Sequence, residues 1–408
     1  MKKLINQYTG LRKEIYILSL CQLIDSAGSM IGPMFTLILS TKMGMNAGQI
    51  ATYFLVVMIL SLPINLLGGK LTDRFNKKLL VNICDITTSV IYIFCGIVGL
   101  NKYTLALYVA GGLLQSIESP AYTSLVADFT SSNDRDRAYS LGYLGMNVGF
   151  VLAPTLGGIL IKNHVSLMFI LNGVFQLFSI VVFDIFVKGT APVQASDNKY
   201  EEGVSGGNVF KVIKDSKILL PFMLILSLSM LVYNMYGYLI PLELSAFHGE
   251  NGSVLFGTVS SLNGITVLAF TALLTALFAK RSTLDKMIFG NTCELVGLAM
   301  FWIFVGTPFI YYIAIVIFTI GEILNTISST PHLTKRIPVN YRGRMLAVSS
   351  VVSNIIVSAG QFAIGKVYDN VGSFAAWAIV IGVGVFTIAG YLVMRKSDMK
   401  RYPELYKE

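Results

Sequence analysis

Three acidic residues, Asp25, Glu118 and Glu322, each fall near the middle of a long apolar run. An ionisable side chain inside a membrane span is expensive and marks an ion or proton pathway by default. A carboxyl group in that position can hold a proton in one part of a cycle and release it in another, or trade it for a cationic substrate. Asp85 and Glu294 lie at similar depths in two further runs, while Asp184 and Glu243 fall at run ends, where solvation is the expected reading. In the seventh run Tyr233, Asn234 and Tyr236 offer rings and an amide that could receive an amphipathic cation. Tyr238, four positions beyond Asn234, reads as part of an aromatic belt at the outer interface. His164, His248 and His332 are scattered without ligand spacing, so no metal site is expected. Cys21, Cys84, Cys95 and Cys293 show no paired spacing and read as small apolar fillers.

The elements that must hold these acids are set by composition. Of 408 residues 54% are hydrophobic and only 13% charged, about half the charge of a soluble domain. Runs of some 20 apolar residues or more, enough to cross a ~30 Å hydrocarbon core, can be counted twelve times, from 14–40 to 373–394. Strands of a membrane barrel would alternate over ~10 residues, and no such alternation occurs. The chain therefore reads as an all-α membrane protein with twelve transmembrane helices. Residues 1–13 are short and basic and the first apolar run is too long for a cleaved leader, so it is expected to remain as the first span.

A net charge of +9 raises the question of nucleic acid, but the bases are distributed as a membrane requires. With the N-terminus in the cytoplasm, only Lys42, Lys102, Lys162 and Lys366 of the 31 Lys and Arg fall on the outer side. That asymmetry follows the positive-inside rule and places both termini in the cytoplasm of a plasma-membrane protein. Anionic lipid, rather than nucleic acid, is the partner this charge implies.

The chain also repeats itself. Residues 188–216 form the longest polar stretch and read as a linker between two six-helix bundles, 1–187 and 217–408. At a constant offset of 207 residues Arg74 falls on Arg281, Asn147 on Asn354 and Gly158 on Gly365. At the same offset Asn133-x-Arg135-x-Arg137 falls on Asn340-x-Arg342-x-Arg344. One offset serving several loops points to a parallel repeat, hence two pseudo-symmetric halves.

Between the second and third runs stands Gly68-Gly-Lys-Leu-Thr-Asp-Arg-Phe-Asn-Lys-Lys78. Gly69, Leu71, Asp73, Arg74, Lys77 and Lys78 resemble the loop signature of the major facilitator superfamily, with Asn76 in place of its second glycine. Asn tolerates a left-handed backbone better than other non-glycine residues, so this replacement reads as mild. In the fifth run Gly149, Pro154, Gly157 and Gly158 resemble the antiporter signature, where a proline among small residues allows a bend and close helix approach. Thr319-Ile-Gly321-Glu322-Ile323 resembles the tenth span of bacterial drug–proton antiporters.

The resemblance covers essentially the whole chain and implies a secondary transporter rather than an enzyme. It implies that the first, fourth, seventh and tenth helices line the cavity, which gives Asp25, Glu118 and Glu322 a proton-coupling role. Asp85 and Glu294, on helices that are peripheral in this family, then read as structural pairings. Gly68 and Gly69 are expected to end the second helix in a tight turn. Asp73, Arg74, Lys77, Lys78 and Asp128 are expected to form a conformational latch, with Arg74 taking Asp128 in a bidentate fork. Two family features are missing. Three residues before Gln115 stands Gly112, not the buried arginine of many drug–proton antiporters, and no phosphate-binding Gly-x-x-x-x-Gly-Lys loop is present. No cofactor is expected. The expected function is proton-coupled export of small amphipathic or cationic compounds by a monomer, with a dedicated transporter of one metabolite, sugar or lipid as the alternative.

Overall fold

The computed structural model describes residues 9–130, 134–187, 218–336 and 342–406; the expected linker 188–216 and Asn133 and Asn340 lie outside them. The described chain is helical, and its helices follow the apolar runs. The first run, α1, is interrupted: Lys13–Gly28 is followed by Ile31–Leu37 and a π-helical turn, Ile38–Lys42. Pro33 supplies no N–H at the start of the second piece, which is where a helix tolerates it. The rest are α2 Ala47–Arg74, α3 Lys77–Val98, α4 Lys102–Asp128, α5 Arg135–Leu160 and α6 Val165–Phe186. In the second half come α7 Leu219–His248, α8 Glu250–Leu277, α9 Thr283–Ile303, α10 Pro308–Thr334, α11 Arg342–Asn370 and α12 Ser373–Arg401. Between α7 and α8 stands only Gly249, whose φ of +57° lets one helix end and the next begin within a single residue.

Ten of the twelve runs are long and apolar enough to span a membrane. The two that fall short, α4 and α9, are diluted by their own polar residues: Gln115, Glu118 and Ser119 in the one, Asp285, Lys286 and Glu294 in the other. The chain is an all-α membrane protein of the expected class.

The described residues divide into two compact units. The first holds α1, α2 from Ile59 onward, α3 to α6, and residues 250–268 of α8; the second holds residues 45–58, α7, the rest of α8, and α9 to α12. Within the first unit α1 packs on α5 and α6, and α3 packs on α4 and α6. Within the second, α7 packs on α11 and α12, and α9 on α10 and α12, which is the same scheme six helices later. The cores share several positions of the repeat. Ala138, Val126 and Val187 are buried in the first, and Met345, Leu333 and Met394, each 207 residues on, in the second.

The repeat also explains why the units are not simple halves of the sequence. Gly158 on α5 has no Cβ where the start of α8 passes; one built there would lie 3.2 Å from Val254 Cα. Its repeat partner Gly365 on α11 receives the start of α2 in the same way, 3.0 Å from the Ala47 carbonyl oxygen. Asp369 then accepts hydrogen bonds from the Ala47 and Gly48 N–H groups at 3.1 and 2.7 Å, capping α2 with a carboxylate where the helix dipole favours one.

Candidate functional site

The acids of the first unit converge. α1 carries Asp25, α3 Asp85 and α4 Glu118, and all three line one cavity of about 340 Å³ together with Gln115, Gln176 and Ser179. Among the described residues no Lys, Arg or His stands in the wall of that cavity. Ser179 Oγ donates to Asp25 Oδ2 at 3.0 Å, and the Gln176 amide nitrogen donates to Asp85 Oδ1 at 3.0 Å. Asp25 Oδ1 and Gln176 Oε1 are buried with no partner among the described residues. Both atoms belong to residues that line this acidic cavity.

In the second unit the acids are arranged differently. Tyr233 on α7 donates its phenolic hydrogen to Glu322 Oε1 at 2.9 Å. The rings of Tyr233 and Tyr236 stack on Phe318, with centroids 5.6 and 5.2 Å away. Asn234 instead donates to the Met230 carbonyl of its own helix at 2.7 Å. Gly321, next to Glu322, allows α10 to press on α9: a Cβ there would lie 2.8 Å from Glu294 Cγ. Glu294 is buried, and Ser229, Asn291 and Asn325 form a hydrogen-bonded string across α7, α9 and α10 at 2.6 and 3.0 Å.

The charged loop between α2 and α3 differs from expectation in three respects. α2 does not turn at Gly68 and Gly69 but runs through them to Arg74. Gly68 is small because α4 crosses there, with Ile117 Cα 2.9 Å from where a Cβ would sit. Asn76 is not left-handed: at φ −63° and ψ 116° it caps α3, its side chain accepting from the Leu79 N–H at 3.2 Å. Asp128 pairs with Lys77 at 2.6 Å rather than with Arg74, which is exposed at the end of α2. Lys78 reaches Asp184 at 3.0 Å and the Val187 carbonyl at 2.9 Å. The Asp73 side chain lies outside the described set.

Residues 18–361, a span that takes in all of these features, match the profile of the Major Facilitator Superfamily. The chain belongs to that superfamily. It is therefore a membrane transporter and not an enzyme. Among curated superfamily relatives, the "Na(+), Li(+), K(+)/H(+) antiporter" of Planococcus maritimus is 21% identical over 85% of this chain and 89% of its own. "Multidrug resistance protein 1" of Bacillus subtilis is 26% identical over 45% of each chain. Among solved structures a peptide transporter POT in complex with sulfate superposes with a TM-score of 0.77 at 15% identity, covering 98% of this chain and 97% of that one. That likeness concerns the fold.

In the superfamily's antiporter-like segment, α5 is a continuous helix through Pro154. Gly149 faces α1, where a Cβ would come within 2.7 Å of the Ala27 nitrogen. Gly158 and Pro154 face the start of α8, with Ser253 donating to the Gly158 carbonyl at 3.2 Å. Gly157 lies against Met30 and Met34 of α1. Asp85 was the residue whose place the sequence misled: a charge at mid-depth was the signal, and its helix number argued it away. Tyr238 is not exposed as a residue of an aromatic belt would be. It is fully buried, and its hydroxyl donates to the Ala47 carbonyl at 2.6 Å.

Proposed function

We propose that this superfamily transporter exports small amphipathic, cationic compounds in exchange for protons by alternating access. The observation that carries the reading is the cavity of Asp25, Asp85 and Glu118, three carboxyl groups with no basic side chain in their wall among the described residues. Such a cavity has a strong electrostatic preference for cations, and a proton and a substrate cation satisfy it alternately. Its unpaired acceptors, Asp25 Oδ1 and Gln176 Oε1, accept hydrogen bonds from whichever occupant is present. In the proposed cycle protons enter from outside to Asp25, Glu118 and Glu322, the halves rock, and the deprotonated carboxylates then take up substrate from the cytoplasmic side. The stacked rings of Tyr233, Tyr236 and Phe318 supply faces for an organic cation. Asp73, Arg74, Lys77, Lys78 and Asp128 serve as the latch that holds one state of the cycle. The bacterial multidrug relative supports the substrate class. The distribution of bases supports a plasma-membrane protein with both termini on the cytoplasmic side.

A second reading takes support from the monovalent-cation antiporter, a relative aligned over 85% of this chain. Here the cavity would exchange an inorganic cation for protons. Proteoliposomes with an imposed pH gradient separate the two. Ethidium extrusion, with Na⁺ and K⁺ flux unchanged from empty vesicles, is the expected result, and the reverse pattern selects the second reading. In either case the double variant D25N/E118Q should lower pH-driven flux by about a hundredfold. Wild-type flux from that variant would remove the cavity from the mechanism.

A further inference from the structure

The second unit carries a feature that transport does not use. A cleft of about 300 Å³ opens where the α8–α9 loop, the end of α10 and the last turns of α12 meet, and six basic side chains line it: Lys280, Arg281, Lys286, Lys335, Arg336 and Arg395. The carboxylates there are already taken. Asp285 receives Arg395 at 2.6 Å and the Ser282 hydroxyl at 2.7 Å. The buried Asp398 receives Arg336 Nε at 2.7 Å and the Tyr406 hydroxyl at 2.6 Å. Lys280, Arg281, Lys286 and Lys335 make no ion pair among the described residues.

A bias toward basic loops on one side of a membrane accounts for net charge, but not for what the repeat shows here. At the offset of 207 residues, Asp73 becomes Lys280 and Asp128 becomes Lys335. Both carboxylates of the first half's loop region are thus replaced by lysine at corresponding places. In the first half Lys77 and Lys78 are neutralised by Asp128 and Asp184. In the second, Lys280, Arg281, Lys286 and Lys335 line one cleft without a carboxylate partner among the described residues, and like charges gathered there repel one another unless an anion joins them. The walls are held by hydrogen bonds: Arg336 is almost fully buried, its NH1 donating to the His332 carbonyl at 2.8 Å, and the Tyr406 hydroxyl of the 3₁₀ turn Pro403–Tyr406 donates to Asp398.

We propose that this cleft binds a phosphate-bearing anion. Arg281 offers a planar fork that matches two phosphate oxygens, and the lysines add point charges around the remaining ones. The volume lies at the lower end for small-molecule sites, about 300–1,000 Å³, and suits a phosphate monoester or a lipid headgroup rather than a large ligand. The two sources share the chemistry and differ in the chain attached to it.

The test uses the purified full-length transporter in detergent, titrated at constant ionic strength with inorganic phosphate, dioctanoyl phosphatidic acid or dioctanoyl phosphatidylcholine, with binding read by thermophoresis. Saturable binding of at least one of the first two is expected, with phosphatidylcholine weaker. The variant K280D/K335D, which restores the acids of the first half at two exposed positions, should weaken that binding by about tenfold or more. K400D, exposed on α12 outside the cleft, should change it less than about twofold. Phosphatidic acid binding much tighter than phosphate identifies a lipid headgroup, and equal affinities identify a soluble phosphate; both sustain the proposal. Should K280D/K335D be recovered poorly, K280Q/K335Q supplies the same comparison with a smaller loss. Absence of saturable binding to the wild type, or equal loss in K400D, overturns it.

Discussion

In the first half of the molecule Asp25, Asp85 and Glu118 line one cavity whose wall contains no base among the described residues. In the second, Glu322 is held by the Tyr233 hydroxyl, and Glu294 is buried under Gly321. The helix ends show the opposite contrast. The first half neutralises its loop lysines with Asp128 and Asp184 in partly exposed pairs. The second buries one pair, Arg336 with Asp398, and leaves a basic cleft beside it. Helix pairing and core positions are nonetheless the same in both. Packing constrains the small and apolar residues that set how closely helices approach, as at Gly158 and Gly365, while the charged positions are free to diverge. A repeat of this kind keeps its frame and distributes different chemistry over it.

The comparison breaks most readily at the ion pairs. The Arg336 side chain is 3% exposed and that of Asp398 fully buried, so removing one partner strands a charge in a low-dielectric environment. R336M should cost about 3–5 kcal/mol of stability, read as a lower melting temperature in detergent. The double variant R336M/D398L, which removes both charges, should recover most of that loss. If R336M melts like the wild type, burial is not what distinguishes the second half.

The acid sites can be sharpened through Tyr233. Y233F deletes the donor to Glu322 and nothing else of its shape, a change worth about 1 kcal/mol or roughly fivefold in flux. Because both residues belong to one contact, Y233F should add little to E322Q in pH-driven flux. Independent, additive losses would show that Tyr233 works as a substrate ring rather than through Glu322. The acid contact of the first half, Ser179 to Asp25, joins different positions of the repeat and has no ring, which is why this cycle tests the second half alone.

Much of this was legible in the sequence because it depends on one-dimensional patterns. Apolar run length gave the helices, and a constant offset exposed the repeat that the core residues Ala138 and Met345 then follow. The depth of Asp25 and Glu118 marked them without any structure. What was not legible depends on partners far apart in the chain. Asp85 enters the cavity because α3 packs on α6, where Gln176 holds it from 91 residues away. Gly68 reads as a turn in sequence because loop and helix glycines look alike there; only the crossing of α4 makes it a contact. Asn76 was read through its tolerance of a left-handed backbone, whereas the start of α3 uses its other property, a short side-chain acceptor. Arg74 was given Asp128 for its fork geometry, but Lys77 opens α3 and reaches the end of α4 first.

That last pair provides the smallest and most discriminating measurement. Lys77 and Asp128 lie 2.6 Å apart with side chains 23% and 19% exposed, so water already solvates part of each charge. Removing the pair should therefore cost about 1 kcal/mol or less, against the several expected for Arg336. K77A is expected to melt within a degree or two of the wild type, and K77A/D128N no lower than K77A. The ratio between R336M and K77A is what carries the comparison: both delete one cation from a short contact at a helix end, and only the depth of the contact differs. If K77A proves as damaging as R336M, Asp128 depends on Lys77 for more than local charge balance, and the loop of the first half is then a structural lock as well as a candidate latch.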